Sequence, residues 1–280
     1  MNIREIRERL AGAALRPQRR FGQNFLHDRN LAHWIVDCAL GGLSSPWRIW
    51  EVGPGLGVLT KLLLGKGAEV RAVEIDRGLA AILRDRFAQE ARFHLCEGDV
   101  LRAEWPEPAS DWVLIGNLPY SISGPLLASL FRRQAPFRRV VVTLQREVAE
   151  RLVAAPRQSC FGSLSVMGQT SFRIEIRRRL PPSVFYPAPK VESAVVCMEP
   201  LATASIPRED LESFCSFVRE SFQQRRKSLR KRLGREERRR PEELGVAEWV
   251  SVYREWREEA PRGSGGEGRA SAGRGSFDLT

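Results

Sequence analysis

The feature that most limits the folds open to this chain is an alternation. Five short runs rich in β-branched and aromatic residues, "RIWEV" (48–52), "EVRAVEI" (69–75), "RFHLC" (92–96), "WVLIGN" (112–117) and "RRVVVTLQ" (138–145), are separated by helix-like segments, notably 57–65, 77–88 and 124–134. That rhythm predicts an α/β fold with a doubly wound, mostly parallel sheet. Two more runs, 170–178 and 192–199, follow with little helix between them, which predicts an antiparallel hairpin closing one edge and brings the sheet to seven strands. After Pro200 the pattern turns helical, in "REDLESFCSFVRESFQQRRKSLRKRL" and "GVAEWVSVYREW", and the last stretch is rich in Gly and Ser, a composition expected to be disordered. With 280 residues, 42% of them hydrophobic, the chain can bury one full core and carry a smaller second unit. The expected division is a basic N-terminal arm at 1–20, the sheet domain at 21–200, a small C-terminal helical domain at 201–260 and a tail at 261–280.

Several functional classes are disfavoured. Every apolar run is broken by Lys or Gly well short of the roughly 20 residues a membrane span requires. The first twenty residues carry an Arg-Glu pattern instead of the apolar segment of a signal peptide, so the expectation is a soluble cytoplasmic protein without a membrane partner. Five cysteines without a CxxC pair and three scattered histidines indicate neither a metal site nor a disulfide framework. The net charge of +11 is concentrated: residues 219–240 hold eleven basic against three acidic side chains, and residues 4–20 hold six against two. Such concentration favours a polyanion such as nucleic acid; a solvated helix face, with the count raised by a preference for Arg over Lys, is the alternative.

In open α/β sheets ligands bind beyond the carboxyl ends of the strands. The first such end carries "EVGPGLG", where Gly53, Gly55 and Gly57 form G-x-G-x-G, not the G-x-G-x-x-G of dinucleotide sites. Glycines admit a ligand close to the backbone and Pro54 removes one donor, which suits a nucleoside with an amino-acid tail better than a pyrophosphate; a tight strand-to-helix connection is the other reading. The second end, "VEID", places Glu74 where a carboxylate accepts from ribose hydroxyls. In "CEGDV" Asp99 is placed to accept from an adenine amine. Each acid alone reads as a surface or capping residue, but at successive strand ends they outline an adenosine site. The fourth end is "GNLPYSIS".

The blocks "FGQNFLHD", "EVGPGLGVLT", "VEID", "EGDVL", "GNLPYSIS", "LQREVAERLVA", "FGSLSVMGQ", "VFYPAPKVESAVV" and "SFQQRRKSLRKRL" follow in unbroken order from about Arg20 to Leu233. Together they resemble the ribosomal small-subunit RNA adenine dimethyltransferase family. The resemblance implies a methyltransferase sheet, S-adenosylmethionine as cofactor and, as substrate, two adjacent adenines near the 3′ end of small-subunit ribosomal RNA in a pre-ribosomal particle, the enzyme acting as a monomer. It implies cofactor contacts at Asn24, Leu26, Gly53, Glu74, Asp99 and Asn117. Leu118 and the "FQQRRKSLRKRL" block favour this family over the related large-subunit RNA dimethyltransferases, where Ile commonly follows the Asn. The helical region after Leu233 is shorter than the family pattern, and the Gly/Ser tail is foreign to it.

The resemblance also gives "NLPY" a chemical meaning. An adenine amine is a poor nucleophile because its lone pair is delocalised into the ring. The Asn117 side-chain oxygen and a backbone carbonyl at Leu118 or Pro119, aimed at its N–H groups, would draw it towards tetrahedral geometry. Pro119 would hold the carbonyl through its fixed φ, and Tyr120 would stack on the base. Phe185 either covers the other face or packs in the core. No strong base is required, because the methylated ammonium loses its proton to water. The target must leave its stack, which favours single-stranded or hairpin RNA. Asn24 and Leu26 would form a lid, with Arg19 and Arg20 on RNA phosphate, and Asp28 would cap the next helix. Arg225, Arg226, Lys227, Arg230 and Lys231 read as a phosphate-tracking face. A protein of another class, a non-catalytic assembly or nucleic-acid-binding factor on the same fold, is the competing reading.

Overall fold

The computed structural model describes residues 1–18, 21–107, 111–133, 137–223, 229 and 239–259. A short strand β1 (Phe25–Leu26) and helix α2 (Arg29–Leu40) follow an N-terminal helix α1 (Ile3–Gly12). The sheet then begins: β2 (Arg48–Val52), α3 (Val58–Gly65), β3 (Glu69–Glu74), α4 (Arg77–Arg86), β4 (Phe93–Glu97), β5 (Trp112–Asn117), α5 (Tyr120–Arg133) and β6 (Phe137–Gln145). Helices α6 (Arg146–Val153) and α7 (Ser163–Ser171) lead to β7 (Phe172–Leu180), β8 (Phe185–Tyr186) and β9 (Ser193–Pro200). Two further helices, α8 (Leu211–Gln223) and α9 (Val246–Glu259), end the described chain.

The seven-stranded sheet has the order β4-β3-β2-β5-β6-β9-β7. Strands β2 to β6 are parallel, and β9 runs antiparallel between β6 and β7. The doubly wound sheet with an antiparallel edge is therefore as predicted. The central strands β2 and β5 are buried almost throughout, which is why they read as mostly apolar runs, with Glu51 the buried exception in β2. One apolar cluster joins α2 and α3 to one face through Ile35, Leu63, Val113 and Val141. A larger one covers the other face with α5 to α9, running from Trp50 and Phe137 to Phe214, Phe217, Trp249 and Tyr253. Helices α8 and α9 thus share the sheet's core instead of enclosing one of their own.

Five elements depart from the sequence reading. Helices α6 and α7 occupy 146–153 and 163–171, where no helix was predicted: α6 is amphipathic but only eight residues long, and α7 is buried over most of its length, so it shows little 3.6-residue period. Residues 3–12 of the expected arm form a helix, closed by an Asn2–Glu5 capping box. Its Ile6 and Leu10 pack on Leu56, Leu79 and Phe25. Strands β1 and β8 pair across 160 residues of chain, Phe25 with Tyr186 and Leu26 with Phe185, a pairing too short and too distant to leave a local signal. Asp28 caps α2 as predicted, accepting from the Leu31 N–H at 2.9 Å.

Candidate active site

The carboxyl ends of β2, β3, β4 and β5 converge on a cavity of about 280 Å³. The turn after β2 forms its floor. Gly53, Gly55 and Gly57 all adopt positive φ, at +63°, +59° and +73°. That conformation is open to glycine at little cost. A Cβ on Gly53 would stand 3.7 Å from the Pro119 ring, and one on Gly55 would press on Phe25 at 3.3 Å, so the turn keeps its backbone bare towards the cavity. The Gly57 N–H donates to the Pro54 carbonyl at 2.8 Å and closes the turn.

Glu74, at the end of β3, is 5% exposed. One oxygen accepts from the Gly55 N–H at 3.1 Å and the other from the Asp76 N–H at 3.0 Å. Each oxygen keeps a second lone-pair site for a ligand donor. Burial raises its pKa, opposed by these two backbone hydrogen bonds. Glu51, deeper on β2, is 1% exposed, accepts from the Thr60 hydroxyl at 2.7 Å and has its pKa pushed by burial up to about 7. Asp99 lines the same cavity, half-buried, with Oδ1 held by the Leu101 N–H at 2.9 Å.

Asn117 ends β5. Its Nδ2 donates to the Asn24 carbonyl at 2.7 Å, which fixes the amide's orientation and leaves Oδ1 without a partner among the described residues. The Pro119 carbonyl accepts from the Ile122 N–H at 3.1 Å within the first turn of α5. The Leu118 carbonyl accepts from no described residue, while its N–H is anchored on the Thr143 carbonyl at 3.3 Å. Of the two carbonyls the sequence left open, that of Leu118 accepts no hydrogen bond among the described residues and that of Pro119 accepts one. Tyr120 is half-buried at the cavity wall, its hydroxyl 2.7 Å from the hydroxyl of Ser193, which is fully buried. Burial raises the Tyr120 pKa. Phe185, 4% exposed, both lines the cavity and belongs to the apolar cluster with Leu26 and Leu180.

The segment before β1 closes the remaining side. Asn24 Nδ2 donates to the Gly22 carbonyl, and Leu26 is buried behind it. Gln18 and Gln23 both donate to Asp76 Oδ2, at 3.0 and 2.8 Å, while Asp76 Oδ1 caps α4. Gln23, Asp76, Glu51 and Ser193 were missed in the sequence. All four lie inside blocks quoted above, and only spatial partners across the fold reveal their roles. The fold thus brings Asn24, Leu26, Gly53, Glu74, Asp99, Asn117, Leu118, Pro119, Tyr120 and Phe185 to one cavity. Arg19, Arg20, Arg225, Arg226, Lys227, Arg230 and Lys231 lie outside the described residues, as does the tail from 260. Among the described residues no helix is long and apolar enough to cross a membrane.

A family model described as "Ribosomal RNA adenine dimethylase" matches residues 14–257. A protein named "Ribosomal RNA small subunit methyltransferase A" from Syntrophotalea carbinolica is 43% identical over 220 residues, covering 78% of this chain and 82% of its own. One of the same name from a Synechococcus strain is 38% identical over 270 residues, covering 88% and 95%. Among solved structures, a dimethyladenosine transferase from Plasmodium falciparum superposes with a TM-score of 0.72 at 22% identity, over 84% of this chain and 98% of its own. The 23S rRNA methyltransferase ErmE does so with a TM-score of 0.61 at 24% identity, over 84% and 100%. At those identities the two structures speak to the fold alone.

Proposed function

The chain belongs to the ribosomal RNA adenine dimethylase family, and from that premise we propose that it dimethylates the exocyclic amines of two adjacent adenines near the 3′ end of small-subunit ribosomal RNA within a pre-ribosomal particle. The small-subunit assignment is supported by the curated relatives, which carry that substrate in their names. S-adenosylmethionine, when bound, supplies an electrophilic methyl group on a sulfonium. The residues present fit it: bare glycine backbone at Gly53, a buried carboxylate at Glu74 with lone pairs to spare for ribose, Asp99 for the adenine edge, and the Asn24–Leu26 segment closing over the cavity.

The observation that carries the reading is the pair of uncommitted acceptors beside the cavity, Asn117 Oδ1 and the Leu118 carbonyl. An adenine amine has two N–H groups, and each acceptor takes one. Both hydrogen bonds strengthen as the nitrogen lone pair leaves the ring, so they stabilise the transition state more than the ground state. The Asn24 carbonyl holds the first acceptor by accepting from Asn117 Nδ2, and the end of β5 holds the second. Tyr120 offers a ring face to the flipped base, a contact worth about 1–3 kcal/mol in single-stranded sites, and Ser193 fixes that ring by its hydroxyl. The proton released after transfer goes to water. The basic residues 225–231 and Arg19 with Arg20 serve as phosphate contacts in this reading.

The test is direct. Small and large ribosomal subunits lacking the modification, each incubated with the protein and S-adenosylmethionine, should yield N6,N6-dimethyladenosine in small-subunit RNA, mapped by primer extension to two neighbouring positions. Dimethyladenosine arising only in large-subunit RNA would assign the chain to the related substrate class, and none in either would refute the reaction.

A further inference from the structure

A second, larger hollow of about 1160 Å³ opens beside the catalytic cavity, between α1 with its following turn and the loop after β8. The two share Gly22, Gln23 and Asn24 as a common wall. We propose that this groove holds the backbone of the RNA nucleotides flanking the adenine that enters the cavity, an inference that rests on the methyltransferase reading and extends it.

Charge is the first argument. Arg7, Arg16 and Lys190 line the groove, and no Asp or Glu does. All three are exposed, and none forms an ion pair among the described residues. Several arginines elsewhere on the surface are paired: Arg4 with Glu8, Arg29 with Glu5, Arg146 with Glu192 and Arg179 with Glu150. Cations left unpaired in a concave wall create a positive field suited to phosphate. Shape is the second argument. Tyr186 presents a half-buried ring in the groove, with the Arg7 guanidinium 5.1 Å from its centroid and Arg7 Nε donating to its hydroxyl at 3.3 Å. A guanidinium over a tyrosine ring extends a stack on which an unpaired base can be placed. Position is the third. A flipped base remains tied to its neighbours through the backbone, so its flanking phosphates must lie at the cavity's mouth, where the shared wall of Gly22 to Asn24 stands.

The experiment uses the full chain with Arg16→Glu and Lys190→Glu combined; neither side chain makes a hydrogen bond or ion pair among the described residues, so the fold keeps its contacts. Equilibrium binding to unmodified small ribosomal subunits is measured across a salt series, methyl transfer separately, and S-adenosylmethionine affinity by calorimetry. The expected result is particle binding weakened at least tenfold, a log–log salt slope shallower by about 1.4 to 1.8 for two lost phosphate contacts, and cofactor affinity within twofold of wild type. Particle affinity and salt slope equal to wild type would overturn the proposal and point the groove's cations at another class of partner. Because binding is read apart from turnover, a wild type that binds particles without methylating them would refute the reaction while leaving the groove's result standing.

Discussion

At the residue scale, the structure assigns tasks that one-letter patterns could not separate. The sequence reading asked only for the ring of Tyr120, but its hydroxyl is 2.7 Å from Ser193 in a buried setting. Tyr120→Phe should therefore keep the stacking face and lose one positioning hydrogen bond, about 1 kcal/mol, lowering kcat by less than tenfold. Tyr120→Ala should lose the stack as well, a further ~1–3 kcal/mol or roughly five- to 150-fold in rate, and single-turnover rates compare the two; equal losses would mean that the hydroxyl is the active group. Glu51 makes a different kind of prediction. Its carboxyl titrates near 7 in the fold against an ordinary 4.5. Between those values the folded chain holds a proton that the unfolded chain has released, so stability falls as pH rises through that window and is level above it, by about 3 kcal/mol in all at about 1.4 kcal/mol per unit. Glu51→Gln keeps an acceptor for Thr60 and removes the titration. Its unfolding free energy should be flatter from pH 5 to 7.5 than that of wild type and higher at pH 7.5; parallel curves would count against a neutral, buried Glu51.

At the scale of elements, the strands were legible and several helices were not, for a physical reason. A central strand buried on both faces is mostly apolar, so β2 and β5 announce themselves, and Gly53 and Asn117 at their carboxyl ends become candidates at once. Glu74 ends β3 and Asp99 follows β4, strands that are more exposed and were legible from the β-rich runs and their place in the alternation. By contrast α1 shows only two fully buried positions, Ile6 and Leu10, amid Arg and Glu, and reads as a charged arm until its partners Leu56 and Leu79 are known. This helix covers the glycine turn from outside. Ile6→Ala should cost about 2–4 kcal/mol locally, loosen α1 before the sheet, and weaken S-adenosylmethionine binding with it. Hydrogen exchange would show faster exchange confined to α1 and the turn at 53–57, with the β5 amides unchanged; uniform loss of protection would mean that α1 belongs to the global core.

For the molecule as a whole, the catalytic cavity and the concentrated charge come from different parts of the chain. The cavity is built from strand ends, whereas the concentrated charge lies at the two ends of the sequence, and much of it outside the described residues. Composition could reveal that charge but not the groove beside the cavity, because Arg7, Arg16 and Lys190 come together only through folding. The separation also distinguishes an enzyme from a scaffold on the same fold. Asn117→Ala deletes one acceptor for the reacting amine and leaves Glu74, Asp99 and the charged surfaces in place. The most direct test is single-turnover methyl transfer to small ribosomal subunits by this variant, with cofactor and particle affinities measured alongside. The account predicts that transfer is lost by at least a thousandfold, about 4 kcal/mol, while both affinities stay within tenfold of wild type. Transfer near the wild-type rate would contradict it, because the amine would then be activated somewhere other than between Asn117 and Leu118.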